Sequence, residues 1–292
     1  MTATTQPLIG FLGIGAMGLP MAQRIQSSGQ RLRAVDVFPG QVSKALDLGI
    51  PASTVPDDLL DADALLVVVA TGEQLLSLLE SKLLSGTGAV RTVGVLSTVG
   101  VAAVREFARE LADRGIGVVD CPVTGGVTGA IEGKLNIFAA GSPSDLYALK
   151  GSLEAIGTIQ ECGTTTGDGQ AYKMVNQLLA ASHLAIAGEA LDFARTLGLN
   201  PEQVLNAVAT GAGGSWMLTD RGPRMIQTPE QRPVQTHLSI FVKDTSLVMA
   251  TAEEAGFDAR ILSAVAQEFK RAADAGLSTD DDSSIVDIDR RH

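Results

Sequence analysis

The sequence predicts an α/β fold, a doubly wound sheet in its N-terminal half followed by an all-helical domain, and three observations predict it. Short β-rich runs alternate with amphipathic stretches up to about residue 165, the pattern of a parallel sheet covered by helices. After Gly163 the β-rich runs stop, and a long helical stretch begins that is apolar nearly all round. A glycine-rich turn follows the first run directly and opens a helix. The expected domains are residues 1–165 and residues 166–292.

Taken in order, the expected strands are Leu8–Leu12, Leu32–Val37, Ala64–Ala70, Thr92–Leu96, Gly117–Val119 and Asn136–Ala140. The run Ala64–Ala70 is about a third of the ~20 apolar residues that span a bilayer, so it reads as a buried parallel strand. Leu8–Ala22 is apolar but has no Lys or Arg before it and is broken by glycines, which argues against a secretory leader. In Val101–Asp113 the residues Val101, Val104, Phe107, Ala108 and Leu111 fall at helical spacing. One helix is expected over Gly169–Leu197, buried between domains or subunits, with Gly198 ending it. Asn200, Pro201 and Gln203 then suit the N-cap, N1 and N3 positions of the next helix, and helices continue to about Leu277. The polar ends, Met1–Gln6 and Asp280–His292, are expected to be loosely held.

Composition limits the function classes. The chain has 22 basic and 33 acidic residues and a net charge of −11, a surface that repels phosphate backbones and anionic lipid, so neither nucleic acid nor membrane is expected as a partner. Cys121 and Cys162 form no CxxC pair, which leaves neither a disulfide framework nor a zinc ribbon and fits a cytoplasmic protein. His183, His237 and His292 show no ligand spacing, and no metal is expected.

Gly13-Ile14-Gly15-Ala16-Met17-Gly18 follows the first expected strand. In such a motif the first glycine permits the tight turn, the second lets a pyrophosphate approach the backbone, and the third lets helix and strand pack closely. The helix N-terminus offers unpaired N–H groups to the phosphates. Asp36, eighteen positions after Gly18 and near the end of the second expected strand, is placed to accept the ribose hydroxyls. Together these features define a Rossmann dinucleotide site. A carboxylate at Asp36, with no Arg or Lys in Val37-Phe38-Pro39-Gly40, favours NAD over NADP. The competing reading of Asp36 is a solvated turn residue.

Two further segments carry chemistry. In Asp120-Cys121-Pro122-Val123-Thr124-Gly125-Gly126 the glycines can turn backbone N–H groups inward as an anion nest with the Thr124 hydroxyl as an added donor, although the same residues suit a plain turn. In Gly167-Asp168-Gly169-Gln170-Ala171-Tyr172-Lys173-Met174-Val175-Asn176-Gln177 the residues Lys173, Asn176 and Gln177 share one face of an otherwise apolar helix. A lysine buried near a positive nicotinamide has a lowered pKa and can exchange protons near neutral pH. The alternative is a lysine that snorkels to water. Gly129–Lys134 is not a P-loop, because Thr128 and Leu135 stand where a glycine and a hydroxyl residue are needed.

These three segments, in this order, resemble the β-hydroxyacid dehydrogenase family, which includes 3-hydroxyisobutyrate dehydrogenase and tartronate semialdehyde reductase. The resemblance covers essentially the whole chain. It implies a C-terminal domain like that of 6-phosphogluconate dehydrogenase, and NAD-dependent interconversion of a small hydroxy acid with its aldehyde or keto form. It implies that Gly13, Gly15, Ala16, Met17, Gly18 and Asp36 hold the dinucleotide and that Ser97 and Thr98 lie near the nicotinamide. Thr124, Gly125 and Gly126 would then bind the substrate carboxylate, Lys173 act as general acid and base, and Asn176 orient the substrate, with Gln177 as its possible substitute. Lys243 would approach cofactor and substrate from the helical domain. Asn176-Gln177-Leu178-Leu179 with His183, Gly214-Ser215-Trp216-Met217 and Arg221-Gly222-Pro223-Arg224-Met225 look most like the L-threonate dehydrogenase branch. Thr124 departs from the family's usual serine, and Ser239 from that branch's Asp. Trp216 could cap the pocket or simply pack, and Arg221 and Arg224 could attract an anionic substrate from the surface. An imine reductase or a non-catalytic dinucleotide-binding module shares the fold, but such relatives generally lack the lysine. The apolar long helix points to a homodimer or homotetramer.

Overall fold

The apolar run Leu8–Leu12 forms β1, an inner strand of a nine-stranded sheet, in the computed structural model, which describes residues 6–288. The other strands are β2 (Arg31–Val35), β3 (Ala52–Ser53), β4 (Ala64–Val67), β5 (Thr92–Val95), β6 (Gly117–Asp120), β7 (Val123–Thr124), β8 (Leu135–Ala140) and β9 (Gly157–Gly163). They lie in the order β3-β2-β1-β4-β5-β6-β8-β7, with β9 also pairing β8. β1 to β6 are mutually parallel, β8 runs antiparallel to β6 and β7, and β9 is parallel to β8. Strand order reverses between β1 and β4. At such a switch point the connections leave on opposite faces and open a crevice at the carboxyl ends of the strands.

Helices α1 (Gly18–Ser27), α2 (Pro39–Asp47), α3 (Gly72–Ser77), α4 (Val101–Ala112) and α6 (Pro143–Ile156) lie in connections between parallel strands, and α5 (Gly126–Glu132) joins the antiparallel pair β7 and β8. Side-chain alternation explains why the strands read as unbroken apolar runs. Ile9, Phe11 and Leu66 point into one core with Met21, Ile25 and Leu149, whereas Leu8, Leu12, Leu65 and Val67 point into a second with Val104, Phe107 and Leu111. A sheet buried on both faces needs apolar residues at every position.

Three details differ from the expected elements. Ala64–Ala70 leaves the ladder after the Val68 amide, which still bonds to the Leu12 carbonyl oxygen at 2.7 Å, because side chains take the next two amides: Ser97 Oγ accepts from Val69 N at 2.7 Å and Gln74 Oε1 from Ala70 N at 2.8 Å. β3 and β7 have two residues each, too few for a period to register. β9 has the sequence GTIQECG and is largely open to solvent, so it lacks the apolar signal of a core strand.

The chain divides into two compact units between Lys173 and Met174. α7 (Asp168–Thr196), 29 residues long, begins in the first unit and continues in the second. The second unit also contains α8 (Pro201–Val208), α9 (Trp216–Met225), α10 (Ser239–Glu254) and α11 (Arg260–Ala272). Asn200 caps α8 as its sequence indicates, Oδ1 accepting from the amides of Glu202 at 2.9 Å and Gln203 at 3.1 Å. Phe241 of α10 stacks on Phe269 of α11 with ring centroids 5.2 Å apart.

The C-terminal segment is a correction. Asp282–Asp287 is a 3₁₀ turn buried in the second unit. The Arg221 guanidinium donates to Asp282 at 2.9 Å, Arg224 to Asp281 at 2.9 Å, and Arg232 to Asp287. Arg221 and Arg224 are each only 7% exposed, so they hold the tail and do not form an anion-attracting surface. A run of Asp and Ser reads locally as a solvated end, whereas its partners lie 55 or more positions away. The remaining parts of the expected loose ends, residues 1–5 and 289–292, lie outside the described residues.

Candidate functional site

The three glycines of the first turn have different surroundings. Gly13 has φ +90°, and a Cβ on it would come within 1.9 Å of the Val68 carbonyl oxygen; one on Gly18 would come within 1.9 Å of the Gly13 oxygen. Those two positions are closed by the protein itself. At Gly15 a Cβ would meet nothing within 4 Å, which leaves backbone open to a ligand between the two closed positions. α1 begins at Gly18, preceded by Ala16 and Met17, and has no acidic residue in its first turn to oppose an anion.

Asp36 follows β2 and is buried, so it is no solvated turn residue. One carboxylate oxygen accepts from Ile14 N at 2.8 Å and the other from Phe38 N at 2.9 Å. These bonds fix the carboxylate beside the glycine turn and leave each oxygen a further lone pair for a ribose hydroxyl. A tight turn, an open backbone position and a fixed acidic group together fit a dinucleotide.

The remaining first-unit candidates leave the same carboxyl edge of the sheet. Ser97 and Thr98 follow β5, and Asp120 ends β6. Thr124 is paired with Asn136 in β7 instead of lying in a loop. Gly125 and Gly126 follow it with φ of +127° and +64°, values that L side chains rarely adopt, and Gly126 opens α5. The start of α7 is fastened to this edge through Asp120 and Gln170. Burial pushes the Asp120 carboxyl up to about 6 against the bonds it accepts from Gln170 and Gly167. Lys173, one turn beyond Gln170, is 5% exposed, so it does not snorkel to water within this chain.

In the second unit, Asn176 donates to Gln177 Oε1 at 2.8 Å, and Gln177 donates to the buried carboxylate of Asp244. Lys243 Nζ pairs with the other Asp244 oxygen at 3.0 Å. Asn176, Gln177 and Lys243 are therefore joined through Asp244, whose role the sequence did not reveal; its only signal was its position beside Lys243. Gln170, one helical turn before the lysine, carries no local sequence signal either. The Trp216 ring is covered by the Arg221 guanidinium at 5.3 Å, a packing arrangement. His237 bonds to the Thr279 carbonyl oxygen at 2.7 Å, and His183 is half-buried on α7.

Residues 8–169 match the model described as the NAD binding domain of 6-phosphogluconate dehydrogenase. Residues 167–288 match the NAD-binding of NADP-dependent 3-hydroxyisobutyrate dehydrogenase. The chain belongs to the β-hydroxyacid dehydrogenase family. It is 31% identical to an L-threonate dehydrogenase of Cupriavidus necator over 96% of this chain and 95% of that protein. It is 27% identical to a 2-hydroxy-3-oxopropionate reductase of Escherichia coli over 95% of each. A crystal structure of 3-hydroxyisobutyrate dehydrogenase from Salmonella typhimurium superposes with a TM-score of 0.88 at 28% identity, covering 97% of this chain and all of that one. Such β-hydroxyacid dehydrogenases are NAD(P)-dependent oxidoreductases acting on CH–OH groups.

Proposed function

We propose that this β-hydroxyacid dehydrogenase interconverts a small hydroxy acid and its aldehyde or keto form with NAD, and that Lys173 is its general acid and base. The observation that carries this reading is Lys173 itself, buried one turn beyond the point where α7 is bonded to the carboxyl edge of the sheet. Gly13, Gly15, Ala16, Met17, Gly18 and Asp36 would hold the dinucleotide, with Ser97, Thr98 and Lys243 serving its nicotinamide end. Bound nicotinamide supplies the hydride acceptor in oxidation and the donor in reduction. Neutral Lys173 takes the proton from the substrate hydroxyl; in reduction its ammonium returns a proton to the developing alkoxide. Thr124, Gly125 and Gly126 hold the substrate carboxylate. Asn176 orients the substrate, and Gln177, engaged by Asn176 and Asp244, supports it from behind.

The motifs that resemble the L-threonate branch favour a four-carbon sugar acid within this class. The Thr124 methyl group narrows the pocket relative to serine, and Ser239 removes a carboxylate usual in that branch. Both cysteines are free thiols, in keeping with a cytoplasmic enzyme. An imine reductase or a non-catalytic dinucleotide binder fits less well, because neither needs this lysine.

A panel of three- and four-carbon hydroxy acids, assayed at 340 nm with NAD and separately with NADP, tests the assignment. At least one acid is expected to turn over, with kcat/KM at least about tenfold higher for NAD, equivalent to ~1.4 kcal/mol of discrimination. Preference for NADP would contradict the role of Asp36. Alcohols lacking the carboxylate should be poor substrates, and their equal turnover would contradict the Thr124–Gly126 anchor.

Self-association is part of the same proposal. Val175, Leu179, Ile186, Phe193 and Leu197 of α7 and the residue following it are each at least 50% exposed. At 100° per residue they fall within about 40° of one another, forming one apolar stripe suited to a second copy of this chain. Sedimentation should show a homodimer or homotetramer, and Ile186→Glu with Phe193→Glu should shift it toward monomer. A wild-type monomer at micromolar concentration would refute this part.

A further inference from the structure

Gln170 has no exposed surface, and both ends of its side-chain amide are bonded within the first unit. Its Oε1 accepts from Val99 N and Gly100 N, each at 3.1 Å. Its Nε2 donates to the Ser97 carbonyl oxygen at 2.9 Å and to Asp120 Oδ1 at 3.0 Å. The second Asp120 oxygen accepts from the backbone amides of Gly167 at 3.0 Å and Gln170 at 2.8 Å. Two donors at one end and two acceptors at the other fix the orientation of the amide. Turned over, it would face its NH₂ toward two N–H groups and its oxygen toward a carbonyl and a carboxylate. Filling space alone would be served by an apolar side chain, without the cost of burying an amide and a carboxyl group. The same segment, Ser97, also holds β4's exit through the Val69 amide.

We propose that Gln170 is a positioning residue that, with Asp120, locks the Ser97–Gly100 loop to the first turn of α7 and so fixes where Lys173 is held relative to the Ser97–Thr98 backbone. The inference rests on Lys173 being the proton-transfer group. Lys173 is three residues beyond Gln170 on the same rigid helix, so any shift of the first turn moves its ammonium by a similar amount. A misplacement of about 1 Å at a reacting group costs about 10²-fold in rate.

Gln170→Glu tests the lock with almost no change in shape. While protonated, the introduced carboxyl can donate to Asp120 and accept from Val99 and Gly100. Once ionised, it places a second negative charge next to Asp120 and against the Ser97 carbonyl oxygen, so the lock opens as pH rises. Asp168, paired with Arg105 at 3.9 Å, acts on Asp120, and burial together with Asp120 in turn raises the thiols of Cys121 and Cys162; Lys173 is the titratable group one turn further along α7. The kcat ratio of variant to wild type is expected to be within a few-fold of one at pH 6 and to fall about 10²-fold by pH 9. Amide-exchange protection of Val99 and Gly100, measured without cofactor, should fall over the same range.

The charge-swapped pair Asp120→Asn with Gln170→Glu restores a donor facing the new carboxylate, and should recover kcat and protection across the range. It also provides the reading if the single variant does not fold. A kcat ratio near one at every pH, or reduced stability with full kcat in the folded protein, would overturn the proposal, as would a folded double variant as slow as the single one. If Lys173→Ala is inactive while Gln170→Glu is normal, only the lock fails. If Lys173→Ala retains turnover, the assignment of the lysine fails and the lock's action through it fails too.

Discussion

Lys173→Ala is expected to lower kcat by about 10²- to 10⁴-fold, the contribution of a positioned general acid or base, while the affinity for NADH changes by less than about threefold. The split follows from the site. The glycine turn and Asp36 contact one another through the Ile14 amide, and Lys173 takes no part in that bond. Truncating it therefore removes the proton acceptor and leaves the dinucleotide cradle intact. Cofactor fluorescence titration beside steady-state kinetics separates the two effects. Loss of binding with kcat retained would make Lys173 a structural residue.

Asp282→Ala is expected to destabilise the second unit by about 3–5 kcal/mol, the cost of removing one partner from a buried ion pair. Asp282 has no exposed surface and takes both Arg221, at 2.9 Å, and Arg224, at 3.4 Å. Its removal leaves two buried guanidinium groups without the fully buried carboxylate they share, Arg221 keeping only Asp220 and Arg224 keeping Asp281 and Asp220, a larger penalty than the pair's own net contribution. Denaturant unfolding measures it, and a loss below about 1 kcal/mol, the range of an exposed pair, would show that the tail is not held this way.

The same buried carboxylates set a pH dependence. Burial pushes Asp282 up to about 6 despite Arg221, and Asp120 also to about 6. Burial acts on Asp281 as well, but bonds from Ser283, Gln235 and Arg224 outweigh it and bring its pKa to about 2. For Asp282 and Asp120 the folded value exceeds the ordinary 3.8, so their contribution is present below that value and lost as pH rises through about 6. Asp281 contributes above 3.8 and loses its contribution as pH falls through about 2. Unfolding free energy is thus expected to decline from about pH 4 to about pH 6 and to level off above that, with a shallower slope in Asp120→Asn. A slope unchanged in that variant would show that Asp120 is not the group responsible.

Much of this was legible in the sequence because it is local. The glycine turn and the Asn200-Pro201 cap each lie within a few residues of the structure they specify, and Asp36 stands at a fixed motif spacing, eighteen positions after Gly18. The doubly wound sheet followed from uninterrupted apolar runs, which two-sided burial requires. What escaped was long-range and polar. Asp281 and Asp282 look solvated until Arg221 and Arg224 are placed beside them, and Gln170 looks incidental until Ser97, Val99 and Asp120 converge on it. Asp244 escaped for the same reason, its partner Gln177 being 67 positions away. Period and composition cannot report a hydrogen bond between segments 50 or more residues apart.

The most direct measurement is NADH formation at 340 nm by protein already shown to bind NAD, supplied with each acid of the panel. Turnover on at least one three- or four-carbon hydroxy acid, lost on replacing Lys173, is the expected result. A folded protein that binds NAD but reduces none of it with any acid of this class would contradict the dehydrogenase assignment and favour a non-catalytic dinucleotide-binding module.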